Sequence, residues 1–124
     1  MGKNQKCSVI IKDDFNNVLI IAKGKKNDPI KWQLIGRESK GKETKEKCIN
    51  NCVKEVLNTL LFDLEEIDEF LIDDQSVYLF KGKLKEYINL GKNVKEIEWV
   101  NEESIGNYDF LNGEKELLIE YFKL

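Results

Sequence analysis

The stretch WQLIGRESKGKETKEKCINNCVKEVLNTLLF, residues 32–62, decides the fold. It begins as a short apolar strand, passes through a loop that contains Gly36 and Gly41, and continues as a long amphipathic helix. The Thr44 hydroxyl can accept a hydrogen bond from an amide of the first turn, which predicts that Thr44 is the N-cap. Apolar pairs that repeat every four positions form one stripe along the helix. These pairs are Cys48/Ile49, Cys52/Val53, Val56/Leu57 and Leu60/Leu61.

Segments with strand character surround this helix. The predicted strands are residues 6–12, 18–23, 30–34, 64–72, 76–84 and 95–100. An Asx-rich linker joins the first two strands, which predicts a hairpin. The central helix is predicted to end at Asn58 in a left-handed conformation, or to continue to Leu61. A second amphipathic helix is predicted over residues 114–123. The sequence therefore predicts the α/β class, with a mixed sheet between two helices.

Length and composition narrow the class of protein. The chain has 124 residues, so residues 1–124 are predicted to form a single domain. Hydrophobic residues make up 41% and charged residues 35%, which is typical of a soluble globular protein. The net charge of −3 is spread along the chain, so we expect neither polymeric nucleic acid nor a membrane as partner. No apolar run has the length of a membrane span and no signal pattern occurs, which predicts a cytoplasmic protein.

Cysteine and histidine usage restricts the possible chemistry. The chain has three cysteines and no histidine, which argues against a disulfide framework and rules out Ser-His and Cys-His nucleophile pairs. Cys48 and Cys52 lie four residues apart on the apolar stripe, where they could bind a soft metal or pack as small hydrophobic residues. Because no histidine can complete such a metal site, packing in the core is the favoured interpretation.

Two motifs, WQLIG at residues 32–36 and GKET at residues 41–44, resemble the W-x-L-P-G and G-E-T elements of the Nudix (MutT-like) hydrolases. Residues 97–103 resemble the Trp-containing strand near the end of Nudix domains, and residues 108–114 resemble their D-F-P loop. The resemblance implies an α/β/α sandwich, with a mixed sheet between the Nudix-box helix and a C-terminal helix. It also implies hydrolysis of nucleoside diphosphates linked to another group, a nucleotide-like small molecule as partner, and Mg²⁺ or Mn²⁺ as cofactor if the domain is active.

The Nudix box itself, G-x5-E-x7-R-E-U-x-E-E-x-G-U with U a bulky aliphatic residue, has lost much of its pattern. In the family, three helix glutamates at i, i+3 and i+4 share one face and supply oxygen ligands to a divalent metal, and the arginine orients the upstream glutamate. Without a gap, the pattern aligns Glu43 with the upstream glutamate, Asn51 with the arginine and Arg37 with the first glycine. The three carboxylate positions are then Cys52, Glu55 and Val56.

A second register inserts three residues into the loop. Glu46 then becomes the upstream glutamate, residues 54–56 match R-E-U, and residues 58–59 occupy the positions of the paired glutamates. Either register leaves Glu55 as the sole helix carboxylate of the three. A thiol is a poor magnesium ligand and valine is none, so the resemblance implies a degenerate box with weak or lost activity.

The resemblance and the residue chemistry nominate a set of site residues. The candidate metal ligands are Glu55, Glu43 and Glu46, the candidate catalytic residues are Glu55 and Glu98, and the candidate substrate-binding residues are Gly36, Arg37, Glu114, Tyr78 and Phe80. Glu98 precedes Trp99, where some MutT-like enzymes keep an additional acid. Glu114 corresponds to a base-reading position in the D-F-P-type loop. Further acids that could compensate are Glu38, Glu102 and Glu103.

Each of these residues also has a structural interpretation. Glu55 and Glu98 fit solvated surface positions, and Glu114 fits the start of a helix, where the helix dipole stabilises an acid. Tyr78 and Phe80 alternate with two aliphatic residues, and the set that faces away from the central helix could line a ligand cleft.

Three functional hypotheses remain open from the sequence. The first is a Nudix-type hydrolase that retains a low rate or uses rearranged metal ligands. The second is a catalytically silent Nudix domain that binds a nucleotide or a protein partner. The third is an unrelated α+β module in which the Trp-Gly-Glu-Thr spacing is a coincidence.

Overall fold

A computed structural model describes residues 5–24, 27–84 and 88–124. Seven strands and two α-helices are found in these residues, with a short 3₁₀ turn before the last helix. The strands are β1 (Lys6–Ile11), β2 (Val18–Lys23), β3 (Trp32–Gln33), β4 (Ile35–Glu38), β5 (Leu61–Ile72), β6 (Gln75–Leu84) and β7 (Val94–Val100), and the helices are α1 (Lys45–Leu57) and α2 (Glu114–Phe122).

The strands form two sheets. The larger has the order β4-β1-β6-β5, and β1 pairs parallel with β6 and antiparallel with β4, so this sheet is mixed. The smaller sheet, β3-β2-β7, is antiparallel. The expected mixed sheet is therefore confirmed.

Two hydrophobic cores lie on opposite faces of the strands. Along β1, Val9 and Ile11 pack on the side of α1, whereas Ile10 packs on the side of α2. A strand that is buried on both faces has a continuous apolar run, which explains the sequence of β1 and β2. The helices lie on either side of the strands, so the architecture is the predicted α/β/α sandwich.

The predicted hairpin between the first two strands is wrong. Within the described residues, β1 and β2 share one isolated bridge, between Lys12 and Val18, and then enter different sheets. The turn is present, because Asp13 accepts hydrogen bonds from the backbone N–H groups of Phe15 and Asn17. Both edges of β1 are occupied by β4 and β6, which leaves no edge for β2.

Both ends of helix α1 are defined by cap residues, Thr44 at the start and Asn58 at the end. The Thr44 hydroxyl accepts from the Lys47 N–H at 3.1 Å, which confirms the predicted N-cap. Asn58 adopts the left-handed conformation with φ 52°, and its N–H donates to the Lys54 carbonyl. Of the two predicted ends, the earlier one is therefore correct. The carbonyls of Leu57 and Val56 in the last turn accept from the N–H groups of Asn89 and Gly91, so the loop before β7 covers this end of the helix.

The edge strand β5 starts at Leu61, three residues before its predicted start. Two irregularities in its pairing with β6 interrupt the alternation of buried and exposed residues. As a result, Leu61 and Leu64 pack toward the α1 core, whereas Ile67 and Phe70 pack toward the α2 core. None of the helices in the described residues is long and apolar enough to cross a membrane.

Candidate functional site

An ion pair joins β4 to the loop that precedes α1. The Arg37 guanidinium donates to the Glu43 carboxylate through both terminal nitrogens, from Nη1 to Oε1 at 2.8 Å and from Nη2 to Oε2 at 2.9 Å. The exposed fractions of these side chains are 17% and 11%. This bidentate geometry is the strongest form of an arginine–carboxylate contact, and its burial reduces screening by solvent.

Two further donors complete the surroundings of Glu43. Asn51 Nδ2 on α1 donates to Oε2 at 2.8 Å, and the Lys40 backbone N–H donates to Oε1 at 3.1 Å. The hydrogen bonds from Arg37, with smaller contributions from Asn51 and the Lys40 N–H, hold the pKa of Glu43 well below its usual range. We call these four residues, Arg37, Lys40, Glu43 and Asn51, the Glu43 cluster.

Thiols border the inner side of the Glu43 cluster. Arg37 Nη1 lies 3.5 Å from Cys48 Sγ, and the Cys48 thiol is directed to the Arg37 carbonyl at 3.6 Å. Burial raises the pKa of Cys48 to about 12, and burial likewise raises the pKa of Cys52. All three cysteines are free and buried. The thiols are therefore protonated core residues at neutral pH, as the sequence predicted for Cys48 and Cys52.

Gly36 lies where β4 approaches β1 closely. A Cβ atom at this position would lie 2.2 Å from the Cys7 carbonyl oxygen and 2.7 Å from the Ser8 Cα. Both atoms belong to the backbone of β1 and cannot move aside. Close strand packing therefore requires glycine here, whatever further role Gly36 has toward a ligand.

Tyr78 and Phe80 face α1, and their aliphatic neighbours Val77 and Leu79 face the α2 core. Phe80 is fully buried, whereas Tyr78 is partly exposed and lies under the Lys45 ammonium, with 4.2 Å between Nζ and the ring centroid. Of the two candidate rings, Tyr78 therefore keeps surface that a ligand can reach.

Glu98 and Glu114 lie apart from the Glu43 cluster. Glu98 is exposed on β7 and pairs with Ile20, whose side chain packs in the α2 core, so its side chain is on the sheet face opposite α1. Glu114 is buried, and its carboxylate accepts from the Leu34 N–H at 2.9 Å and pairs with the Lys6 ammonium at 2.8 Å. The structure thus gives Glu114 partners that account for its burial without a ligand.

A cavity of about 420 Å³ adjoins the loop that the sequence compared with the D-F-P loop. Its lining includes Tyr108, Phe110 and Asn112, together with Asp73 from the β5–β6 turn. The loop is held to β3, because the Leu111 N–H donates to the Trp32 carbonyl at 2.9 Å. The Trp32 side chain is buried, and its ring packs edge-on against Tyr108, with 5.4 Å between centroids.

No protein-family model matches the sequence, and no curated protein matches it. Solved structures do match. A Chromobacterium violaceum protein assigned to the nudix hydrolase family aligns with a TM-score of 0.82 and 11% identity, over 98% of this chain and 78% of that one. A structure from work on MutT of Aliivibrio salmonicida and Vibrio cholerae aligns with a TM-score of 0.78 and 14% identity, over 96% of each chain. This chain has the Nudix fold.

A third structure of this fold carries a ligand. The NUDIX domain of Shewanella oneidensis NrtR, complexed with ADP ribose, aligns with a TM-score of 0.76 and 10% identity, over 99% of this chain and 88% of that one. The part of the third hypothesis that expected an α+β module of another fold is therefore wrong.

The contacts of the Glu43 cluster fit the ungapped register of the Nudix box. In that register Asn51 stands at the arginine position, and it donates to Glu43 as the resemblance expects of the residue there. Asn58 stands at the box glycine that follows the helix glutamates, and its positive φ is the conformation that glycine adopts most easily. Arg37 contacts Glu43 from the position of the first box glycine.

The remaining residues of the Nudix box do not fit a hard divalent cation. Cys52 and Val56 are buried in the apolar core, and Glu55 and Glu46 are exposed on α1. Magnesium and manganese require several oxygen ligands at one place. Within the described residues, no group of three or more Asp, Glu, Cys or His side chains is arranged to hold a metal ion.

The sequence named Arg37, Glu43 and Asn51, but it missed the Lys40 N–H as a donor and the pairing of Arg37 with Glu43. It assigned Arg37 to the substrate and did not pair it with Glu43, although the two residues are six positions apart across a glycine-containing loop. That spacing is a weak signal, because the distance between the side chains depends on how the loop folds.

Proposed function

We propose that this domain binds a nucleoside-diphosphate-linked molecule and does not hydrolyse it at a measurable rate. The proposal rests on one observation, which is how the residues at the carboxylate positions of the box are hydrogen-bonded or buried. Glu43 is fully engaged by protein donors, and two of the three helix positions are the buried residues Cys52 and Val56. Without clustered oxygen ligands, the developing charge on a phosphoryl group lacks the stabilisation that a divalent metal provides.

Two observations support a nucleotide-like ligand. The NrtR NUDIX domain of the same fold was solved with ADP ribose. In this chain, the lining of the cavity beside residues 108–113 is mainly polar and includes two aromatic residues with amide and carboxylate groups, so hydrogen bonds rather than apolar burial would hold a nucleoside there. We therefore use ADP ribose as the first probe.

The second candidate function is slow hydrolysis with rearranged ligands. Glu55 is exposed on α1 and available to a metal–nucleotide complex, which favours this alternative. In this alternative Glu55, with Glu98 as a second acid, is catalytic. The position of Glu98 on the opposite face of the sheet speaks against the two residues acting together.

Calorimetry and a turnover assay test the proposal together. Binding of ADP ribose and of a panel of nucleoside diphosphate compounds is measured by isothermal titration calorimetry. Hydrolysis of the same compounds is followed with a coupled phosphatase during a magnesium titration. We expect binding without measurable turnover. Turnover that falls sharply in Glu55→Gln but not in the control Glu120→Gln, which lies on α2 outside the cavity lining, would establish the second candidate function. Absence of binding across the whole panel would contradict both.

A further inference from the structure

The inner face of the Arg37 guanidinium is closed by the protein. Besides its two bonds to Glu43, Nη1 donates to the Glu38 carbonyl at 3.0 Å and contacts Cys48 Sγ at 3.5 Å. Nε is buried and has no hydrogen-bond partner in the described residues. The guanidinium is therefore held in one orientation by β4, the loop and α1, and its positive charge is directed at Glu43.

The Glu43 carboxylate has no position left for another ligand. A carboxylate has about four lone-pair sites. Two hydrogen bonds from Arg37, one from Asn51 and one from the Lys40 N–H occupy four sites. A metal ion could bind Glu43 only by displacing a protein donor, and the bidentate arginine is the hardest of these to displace.

We infer that the Arg37 guanidinium is the permanent counter-cation of Glu43, and that this domain works without a divalent metal. Arg37 is a positioning residue: its fixed charge holds the loop of residues 39–44 on α1. This replaces the expectation, drawn from the Nudix resemblance, that Glu43 and the helix acids hold Mg²⁺ or Mn²⁺. The part that concerns ligand binding rests on the proposed function, whereas the part that concerns the metal does not.

Binding of the metal alone tests the inference directly. Electron paramagnetic resonance of free Mn²⁺ is recorded during titration with the wild-type protein, and thermal unfolding is compared in magnesium chloride and in EDTA at matched ionic strength. We expect no saturable Mn²⁺ binding below about 1 mM and no change in Tm, because clustered oxygen ligands are lacking. One equivalent of Mn²⁺ bound more tightly than this would overturn the inference.

A double-mutant cycle tests the role of Arg37. Arg37→Met, Glu43→Gln and the double variant are compared with the same cycle at Lys81 and Glu65, whose ammonium and carboxylate lie 3.5 Å apart at the surface. We expect the Tm loss of the double variant at 37 and 43 to be clearly smaller than the sum of the single losses. The Lys81–Glu65 cycle should be nearly additive, because both side chains are more than half exposed and surface pairs are weakly coupled.

The variant Arg37→Lys separates the effect of the positive charge from the effect of the bidentate hydrogen bonds. Arg37→Lys keeps the positive charge but cannot form two parallel hydrogen bonds, so we expect its Tm to lie between those of the wild type and Arg37→Met. Additive losses at positions 37 and 43 would overturn the positioning role. If Arg37→Met does not fold, Arg37→Lys with and without Glu43→Gln provides the same cycle.

The last experiment tests whether ligand binding depends on magnesium. ADP ribose binding is measured in EDTA and in excess magnesium, and the Kd is expected to change by less than about twofold. Binding that requires magnesium would overturn the inference. If ADP ribose binds in neither condition, the proposed function fails for this ligand, and the Mn²⁺ titration still decides the inference.

Discussion

The Glu114 carboxylate on the first turn of α2 accepts a hydrogen bond from the Leu34 backbone N–H at 2.9 Å, although the residues are eighty positions apart. Leu34 separates β3 from β4, so this contact joins α2 to the point where the chain passes from the smaller sheet to the larger. The same carboxylate pairs with the Lys6 ammonium at the start of β1. One side chain with 5% exposure therefore connects the C-terminal helix to both sheets.

Removal of this carboxylate should destabilise the fold strongly. Glu114→Ala leaves the buried Leu34 N–H and the partly buried Lys6 ammonium without a partner, and we expect a loss of about 3 kcal/mol in the free energy of unfolding. Glu114→Gln keeps an acceptor for the Leu34 N–H and should cost less. Urea unfolding measures both, with Glu116→Ala as an exposed control expected within about 0.5 kcal/mol of wild type. Equal losses for the alanine and glutamine variants would contradict a role of the Leu34 contact.

Acid should remove the stabilisation that Glu43 provides. Folding lowers the pKa of Glu43 from its ordinary value of 4.5, chiefly through Arg37. A carboxyl of this kind stabilises the protein fully above its ordinary pKa and loses that contribution as the pH falls toward the lowered value. The difference in unfolding free energy between wild type and Glu43→Gln should therefore be constant from about pH 7 to pH 5 and decrease below about pH 4.5.

Urea unfolding at a series of pH values measures this difference. Glu120→Gln, on α2, serves as the control for general acid effects. A difference that stays unchanged down to about pH 3 would show that Glu43 has an ordinary pKa in the folded protein.

Two glycines near the Nudix box should respond differently to alanine. Gly36→Ala places a Cβ 2.2 Å from the Cys7 carbonyl oxygen, and the strands must separate, so we expect a loss of about 3 kcal/mol. Gly41 has φ +56°, but its Cβ would meet no atom within 4 Å. Gly41→Ala should therefore cost only about 1 kcal/mol, for the left-handed conformation. Chemical unfolding of the two variants checks the order, and the reverse order would contradict the packing of β4 on β1.

The C-cap of α1 should prefer glycine to alanine. Asn58→Ala forces a residue with a Cβ to keep φ 52° and loses the hydrogen bond from Nδ2 to the Asn89 carbonyl, so we expect a loss of about 2 kcal/mol. Asn58→Gly loses the hydrogen bond but adopts the conformation freely, and should cost at most about 1 kcal/mol. Thermal unfolding followed by circular dichroism measures both. A glycine variant less stable than the alanine variant would mean that the conformation at this cap does not matter.

The central helix could be predicted because its determinants are local. The apolar pairs between Cys48 and Leu57 specify one face, and the N-cap lies within one turn of the amide that it caps. The strands could be predicted for the same reason, except β4, for which the sequence predicts a loop. Its four residues include Gly36 and Arg37, and they form a strand because the edge of β1 is available to them.

Long-range contacts could not be predicted in this way. The hairpin prediction for β1 and β2 was wrong, because an Asx-rich turn does not determine which strand edges pair afterwards. The placement of Tyr78 and Phe80 toward α1 depends on which face of β6 the helix covers, and the alternation of residues leaves both faces possible. The site residues themselves stay predictions that the experiments above must test.

The sequence by itself determined both helices, six of the seven strands found in the described residues and the order of the Nudix-like motifs. It also determined that Glu55 is the one carboxylate at the three helix positions of the box pattern, because these features follow from residue identity and from spacing within a turn or a strand. The tertiary structure alone decided that Arg37 and Asn51 converge on Glu43 and that Glu114 reaches Leu34. Those contacts exist because the packing of two sheets between two helices brings separated segments together. The separation of these residues along the chain does not indicate how close their side chains lie in space.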